Sequence, residues 1–163
     1  METNMNLPEK AIVTKHGERE VRIERILNAS RDRVWRAFTE KEQLAQWWGR
    51  GNKLVIEKFE CVRGGHWRFV EHTDHGAFGF EGRYREVTPK ERIVRSFEWD
   101  GMPAHVAIEQ IDFIDLGDGR TKVVTNSIFH TTAERDSMLK SGAEAGVNQS
   151  YAALDALLLT PSS

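Results

Sequence analysis

The chain has 163 residues, 39% of them hydrophobic, with 23 Lys and Arg against 25 Asp and Glu. That length suits one domain with a core large enough to need no disulfide or metal staple. A net charge of −2 argues against a nucleic-acid protein held by bulk positive charge, and 5 Trp, 2 Tyr and 8 Phe exclude a disordered chain.

Cys61 is the one cysteine, so there is no disulfide framework and no thiolate metal cluster, and a reducing compartment fits. No apolar run approaches the roughly 20 residues of a membrane span. Residues 1–10 lack the apolar segment of a signal peptide. A cytoplasmic location is expected.

In chain order, residues 1–19 read as a loose arm or a first edge strand, and 20–160 as a single domain. Residues 20–28 alternate, with Val21, Ile23, Arg25 and Leu27 on one side, as in a half-buried strand. Ser30 stands where a helix N-cap belongs. Thr39-x-x-Glu42 reads as a capping box for a second helix, whose inner face carries Leu44, Trp47 and Trp48. Six strands are then expected over 53–62, 66–72, 77–87, 92–99, 105–116 and 120–130, each bounded by Gly, Pro or Asp, as in an antiparallel meander. Thr131-x-x-Glu134 opens a long helix over 132–159, about 42 Å at 1.5 Å per residue. Its apolar line is Val147, Tyr151, Leu154 and Leu158, with Glu144, Asn148 and Asp155 opposite. Gly142 and Gly146 are positions where it could break or bend. The expected class is therefore α+β. A curved antiparallel sheet of about seven strands surrounds a long C-terminal helix, in the order β-α-α-β6-α. A ligand cavity lies naturally between the two.

Several segments carry a family resemblance. Val34-Trp35-Arg36-Ala37-Phe38-Thr39 precedes Leu44-Ala45-Gln46-Trp47-Trp48. Gly64-Gly65-His66-Trp67-Arg68-Phe69 follows. Then come Phe80-Glu81-Gly82-x-Tyr84-x-Glu86-Val87-x-Pro89-x-Glu91-Arg92-Ile93-Val94, Phe97-Glu98-Trp99 and the Gly119-x-Thr121 turn. In this order they resemble the family named after the C-terminal domain of the activator of the heat-shock-protein-90 ATPase, in the START-like, helix-grip (SRPBCC) superfamily. Gly146 and Leu154 fit as well, although a Trp often follows that Gly and Val147 stands here. The resemblance implies a helix-grip domain with a deep, mostly apolar cavity, and a link to stress response. Members of the superfamily bind lipids, sterols, polyketides and hormones, and a few catalyse cyclisation or dehydration. One fold hosts many activities, so none transfers by fold alone. The namesake has a separate N-terminal chaperone-binding domain; with only about 20 residues ahead of this fold, a chaperone partner is possible but doubtful as an expectation.

Strand alternation assigns faces. Trp67, Phe69 and Glu71 share one side of their strand; Phe78, Phe80, Gly82 and Tyr84 share one side of the next. Ile93, Arg95, Phe97 and Trp99 share a third. These sides are expected to face the long helix. With Trp47, Trp48, Val147 and Tyr151 they are either plain core or the lining of a ligand cavity. Glu71 and Arg95 are charges on an apolar side, so they should pair with each other, pair elsewhere, or reach water.

No complete catalytic set emerges. Glu71 with Tyr84 or His75 is the one acid–base trio worth testing. His66 and His72 are about 20 Å apart along a strand and cannot share an ion. His72 and His75 flank a turn without a carboxylate partner, and His105 and His130 have no obvious partner. No metal and no cofactor is expected. The reading is a hydrophobic small-molecule (lipid or polycyclic aromatic) binding protein, monomeric or homodimeric. A cyclase- or dehydratase-type enzyme and a protein-interaction module are the alternatives.

Overall fold

The computed structural model describes residues 10–160. In chain order they form β1 (Ile12–His16), β2 (Glu20–Leu27), α1 (Arg31–Thr39), α2 (Lys41–Trp47), β3 (Lys53–Phe59) and β4 (His66–Thr73). Then follow β5 (Gly76–Thr88), β6 (Arg92–Trp99), β7 (Val106–Asp115), β8 (Thr121–Ile128), α3 (Thr132–Lys140) and α4 (Ala143–Leu158). The strands make one curved antiparallel sheet in the order β1-β2-β8-β7-β6-β5-β4-β3. This is the expected α+β architecture with two corrections. The sheet has eight strands rather than about seven, because β1 pairs along β2 from Ile12↔Glu24 to His16↔Glu20. Residues 1–9 of the expected arm lie outside the described residues.

The second correction is the C-terminal helix, which is two helices. Gly142 sits between them at φ +83°, and a right-handed helix cannot run through that conformation. Gly146 stays inside α4, where the stem of Arg50 lies 3.0 Å from the place a Cβ would occupy.

Local signals explain most element ends. The Ser30 hydroxyl accepts the Arg33 N–H at 3.2 Å and starts α1. Thr131 likewise accepts the Glu134 N–H at 3.1 Å and starts α3. The capping box expected at Thr39 does not form. Thr39 is the last residue of α1, and its hydroxyl donates back to the Trp35 carbonyl at 2.8 Å. The N-cap of α2 is Glu40 instead, in extended conformation and without a side-chain cap bond. A one-residue junction leaves Thr39 helical, so it cannot adopt the extended backbone a cap needs.

Burial alternates perfectly along β2, with Val21, Ile23, Arg25 and Leu27 buried. That inner face is covered by helices: α1 meets β7, while α2 meets β3 and α4. From α4 the buried residues are Tyr151, Leu154 and Leu157, so Leu157 rather than Leu158 completes the apolar line. Two bulges break strict alternation, between Ile56 and Lys58 on β3 and between Tyr84 and Glu86 on β5. Each lets a later side chain (Phe59, Val87) return to the core side after one extra residue.

The outer face carries a charge cluster. Arg68 bonds Asp100 at 2.7 and 3.0 Å, Glu57 at 3.0 Å and Glu81 at 2.9 Å. The Arg68 hydrogen bond holds the Asp100 carboxyl below its usual range. A depressed carboxyl stabilises the fold above its unfolded value of about 4, and that contribution is lost as pH falls through the folded value. Arg68→Gln should therefore flatten the loss of stability below about pH 4. Urea unfolding midpoints taken from pH 6 down to pH 2 check this; an unchanged acid limb would refute it.

Candidate functional site

The aromatic side chains that the sequence places toward the helix do share one face, and they pack in graded depth. Trp67 and Phe69 on β4 are fully buried, with ring centroids 4.8 Å apart. Tyr84 on β5 is buried beside them. Trp47 is buried from α2; its indole N–H donates to the Ala37 carbonyl at 2.8 Å, and its ring stacks on Tyr151 at 6.2 Å. Nearer one end the same face is not sealed. Phe78, Phe80, Phe97, Trp48 and Val147 are half-buried. The Trp48 ring meets Phe69 at 5.2 Å and Phe80 at 5.3 Å, edge to face, and Phe80 meets Phe97 at 5.6 Å. Trp99, at the end of β6, is 36% exposed, and its ring lies over Gly101 in the following turn. It stands at the exposed end of this face.

The inward charges pair elsewhere rather than with each other. Glu71 is 2% exposed and receives Arg50 through two bonds, at 2.9 and 3.0 Å, and Asn52 at 2.7 Å. Arg50 belongs to the α2–β3 loop, at φ +61°. Its backbone N–H donates to Ser150 on α4 at 3.0 Å, so one residue ties loop, sheet and helix together. Arg95 is buried, bonds Glu109 on β7 at 2.7 Å, and lies 4.5 Å over the Trp67 ring. Burial works against the Arg95 charge, but Glu109 and Tyr84 outweigh it and shift the guanidinium upward. Arg25 also faces inward and forms a two-pronged pair with Asp155 of α4, at 2.6 and 3.1 Å. Asp155 and Asn148 were expected on the outer face of the helix. Instead Asp155 anchors α4 to the sheet, and Asn148 accepts the Ala11 N–H at 2.9 Å.

Burial pushes the Tyr84 phenol up, against the opposing effect of Arg95. It also pushes up the neighbouring Cys61 thiol, which Tyr84 contacts, so neither group is primed as a nucleophile. Burial raises the Tyr151 phenol to about 12. The trio of Glu71 with Tyr84 or His75 is not assembled as an acid–base set: Glu71 is held by Arg50 and Asn52, Tyr84 faces Cys61 and Arg95, and His75 is exposed in a turn. His105 does find a partner, since its Nδ1 lies 3.0 Å from Glu134, which a long sequence separation concealed. Among the described residues, no group of three His, Cys, Asp or Glu could hold a metal ion. No helix there is long and apolar enough to cross a membrane.

One feature escaped sequence reasoning. A groove of about 480 Å³ opens on the outer sheet face, between Arg22, Glu20, Asn126, Gln110 and the exposed Ile108 and Ile128. Its residues come from the end of β1, the turn at Gly17, β2, β7 and β8, which only strand order brings together.

A curved antiparallel sheet closed by a C-terminal helix, with an aromatic face between them, defines a START-like, helix-grip protein. The chain belongs to the Activator of Hsp90 ATPase homolog 1-like protein family, which it matches over residues 28–159. Solved structures with this fold include a protein from Rhodobacter sphaeroides, with a TM-score of 0.83 at 22% identity, covering 91% of this chain and 97% of that one. A protein from Mycobacterium smegmatis is similar at a TM-score of 0.80 and 17% identity, covering 93% and 100%. A third, from Chromobacterium violaceum, has a TM-score of 0.73 at 26% identity, covering 87% and 99%. No curated protein matches the chain. Membership of this family suggests a ligand-binding fold.

Proposed function

We propose that the chain binds an apolar small molecule, lipid-like or polycyclic aromatic, between the inner sheet face and α4. The observation that carries this reading is the unsealed cluster of Trp48, Phe80 and Phe97. These rings point to the interior side of the sheet, yet they remain half-buried; Phe80 touches Trp48 edge to face and Phe97 at a tilt. A closed core would bury such rings fully, because each offers on the order of 150–250 Å² of apolar surface. An aromatic entrance leading to the buried Trp67, Phe69 and Tyr84 suits a guest with flat apolar surfaces. Trp47, Val147 and Tyr151 complete the wall on the helical side, and Phe78 and Trp99 form the rim.

Native mass spectrometry of the purified chain, followed by organic extraction, tests the proposal. A discrete co-purifying apolar mass, or saturable uptake of a neutral naphthalene dye by the empty protein, is the expected result. An empty protein that takes up no dye would overturn it.

A further inference from the structure

The outer groove holds two opposite charges that the fold leaves unmatched. We infer that it is a second binding site, separate from the inner aromatic face, for a small zwitterion: an α-amino acid with a branched aliphatic side chain.

The groove is built in rungs. Side chains two apart share a strand face, so β2 presents Glu20 and Arg22 outward on either side of the buried Val21. Across the ladder, Arg22 stands opposite Asn126 of β8, and Asn126 opposite Gln110 of β7. The neighbouring rung runs from His16 through Glu20 and Ile128 to Ile108. One rung is thus polar and planar, while the other ends in two isoleucines that are 39% and 42% exposed. The opening between them is about 480 Å³, a size that suits a small molecule.

The two charges are half-buried, and each lacks a counter-charge in contact with it. Among the described residues, the Arg22 side chain makes no hydrogen bond and no ion pair, and its Nε is sealed from solvent without a partner. It attracts Glu24 through space, but Glu24 is held by Lys122 at 2.8 Å. The Glu20 carboxylate lies near Gly17 in the β1–β2 turn and, among the described residues, meets no cation. Arg135 takes the Gly17 and Glu20 carbonyls at 3.4 and 2.9 Å, which fixes the backbone at that end of the groove. Arg22 and Glu20 do not bond each other, although their Cα atoms are about 7 Å apart on one face. His16 is engaged with Thr14 at 3.1 Å, and Gln110 donates to Asp112 at 3.0 Å.

A half-buried guanidinium without a carboxylate invites one, and a half-buried carboxylate without a cation invites an ammonium. A spacing of one rung admits both ends of an amino acid. Its carboxylate lies on Arg22 with the Asn126 amide as second donor, its ammonium lies on Glu20, and its side chain covers Ile128 and Ile108. A plain anion would satisfy Arg22 but meet Glu20 as a like charge. A plain amine would satisfy Glu20 but meet Arg22. A zwitterion matches both.

Matched probes test this on the full chain. Titration calorimetry at neutral pH with L-leucine, 4-methylpentanoate and 3-methylbutylamine compares one carbon skeleton carrying both charges, only the anion and only the cation. Leucine should bind saturably, and each singly charged probe at least about tenfold more weakly, the fold-change expected for one lost charged contact. Arg22→Gln should remove the advantage of leucine over the amine, and Glu20→Gln its advantage over 4-methylpentanoate. Urea unfolding midpoints show that both variants remain folded. If either singly charged probe binds the unaltered chain as tightly as leucine, or if leucine does not bind, the inference is overturned. Unchanged leucine binding by a folded Arg22→Gln variant would also overturn it. The inner-face reading stands or falls separately, on the co-purifying mass and the dye.

Discussion

Arg95→Met should lower stability by about 3 kcal/mol, the cost of leaving one member of a buried ion pair behind. Glu109, 18% exposed at its side chain, would lose its one charged partner on the sheet. The mechanism separates from simple loss of packing through a double-mutant cycle in urea. Arg95→Met/Glu109→Leu removes both charges, and an apolar pair of similar volume can match a buried ion pair. The double variant should therefore recover most of the lost stability. Equal losses in the single and double variants would mean that the guanidinium's stacking on Trp67 carries the effect, not the ion pair.

Trp67→Ala should cost about 3–5 kcal/mol, as expected when a large buried ring is deleted and the cavity does not collapse. Trp67 is fully buried on β4 and touches Phe69 of the same strand and Phe97 and the Arg95 guanidinium of β6, so its loss loosens two strands together. The unfolding midpoint should fall while the denaturant dependence stays the same. A loss below about 1 kcal/mol would mean that the neighbouring rings close the gap without penalty.

Much of the fold was legible because its signals are local. Ser30 and Thr131 announce helix starts through a hydroxyl three residues ahead of an N–H. The alternation in β2, β4 and β6 places Arg25, Glu71 and Arg95 on the buried side as the two-residue period requires. β1 was hard to read because Ile12-Val13-Thr14-Lys15-His16 has no clear alternation. An edge strand held on one side only does not need one. The capping box at Thr39 misled because its pattern ignores where the previous helix ends.

The candidate site was legible in its residue types but not in its partnerships. That Glu71 and Arg95 must be compensated followed from burial energetics alone. Their actual partners, Arg50 with Asn52 and Glu109, depend on a loop conformation and on strand neighbours. Asp155 looked solvent-facing on its helix, because a helical wheel knows nothing of a cation arriving from a strand 130 residues away.

By itself, the sequence determined the strands from β2 to β8, the helix starts at Ser30 and Thr131 and the inward positions of those strands, since these rest on spacing along the chain, and its ordered motifs pointed to the family. Only the tertiary structure decided how the inward charges pair, which rings stay half-open, and where the outer groove lies. Each of these depends on distances between residues far apart in the chain, and those distances are set when sheet order and helix packing fix every side chain at once.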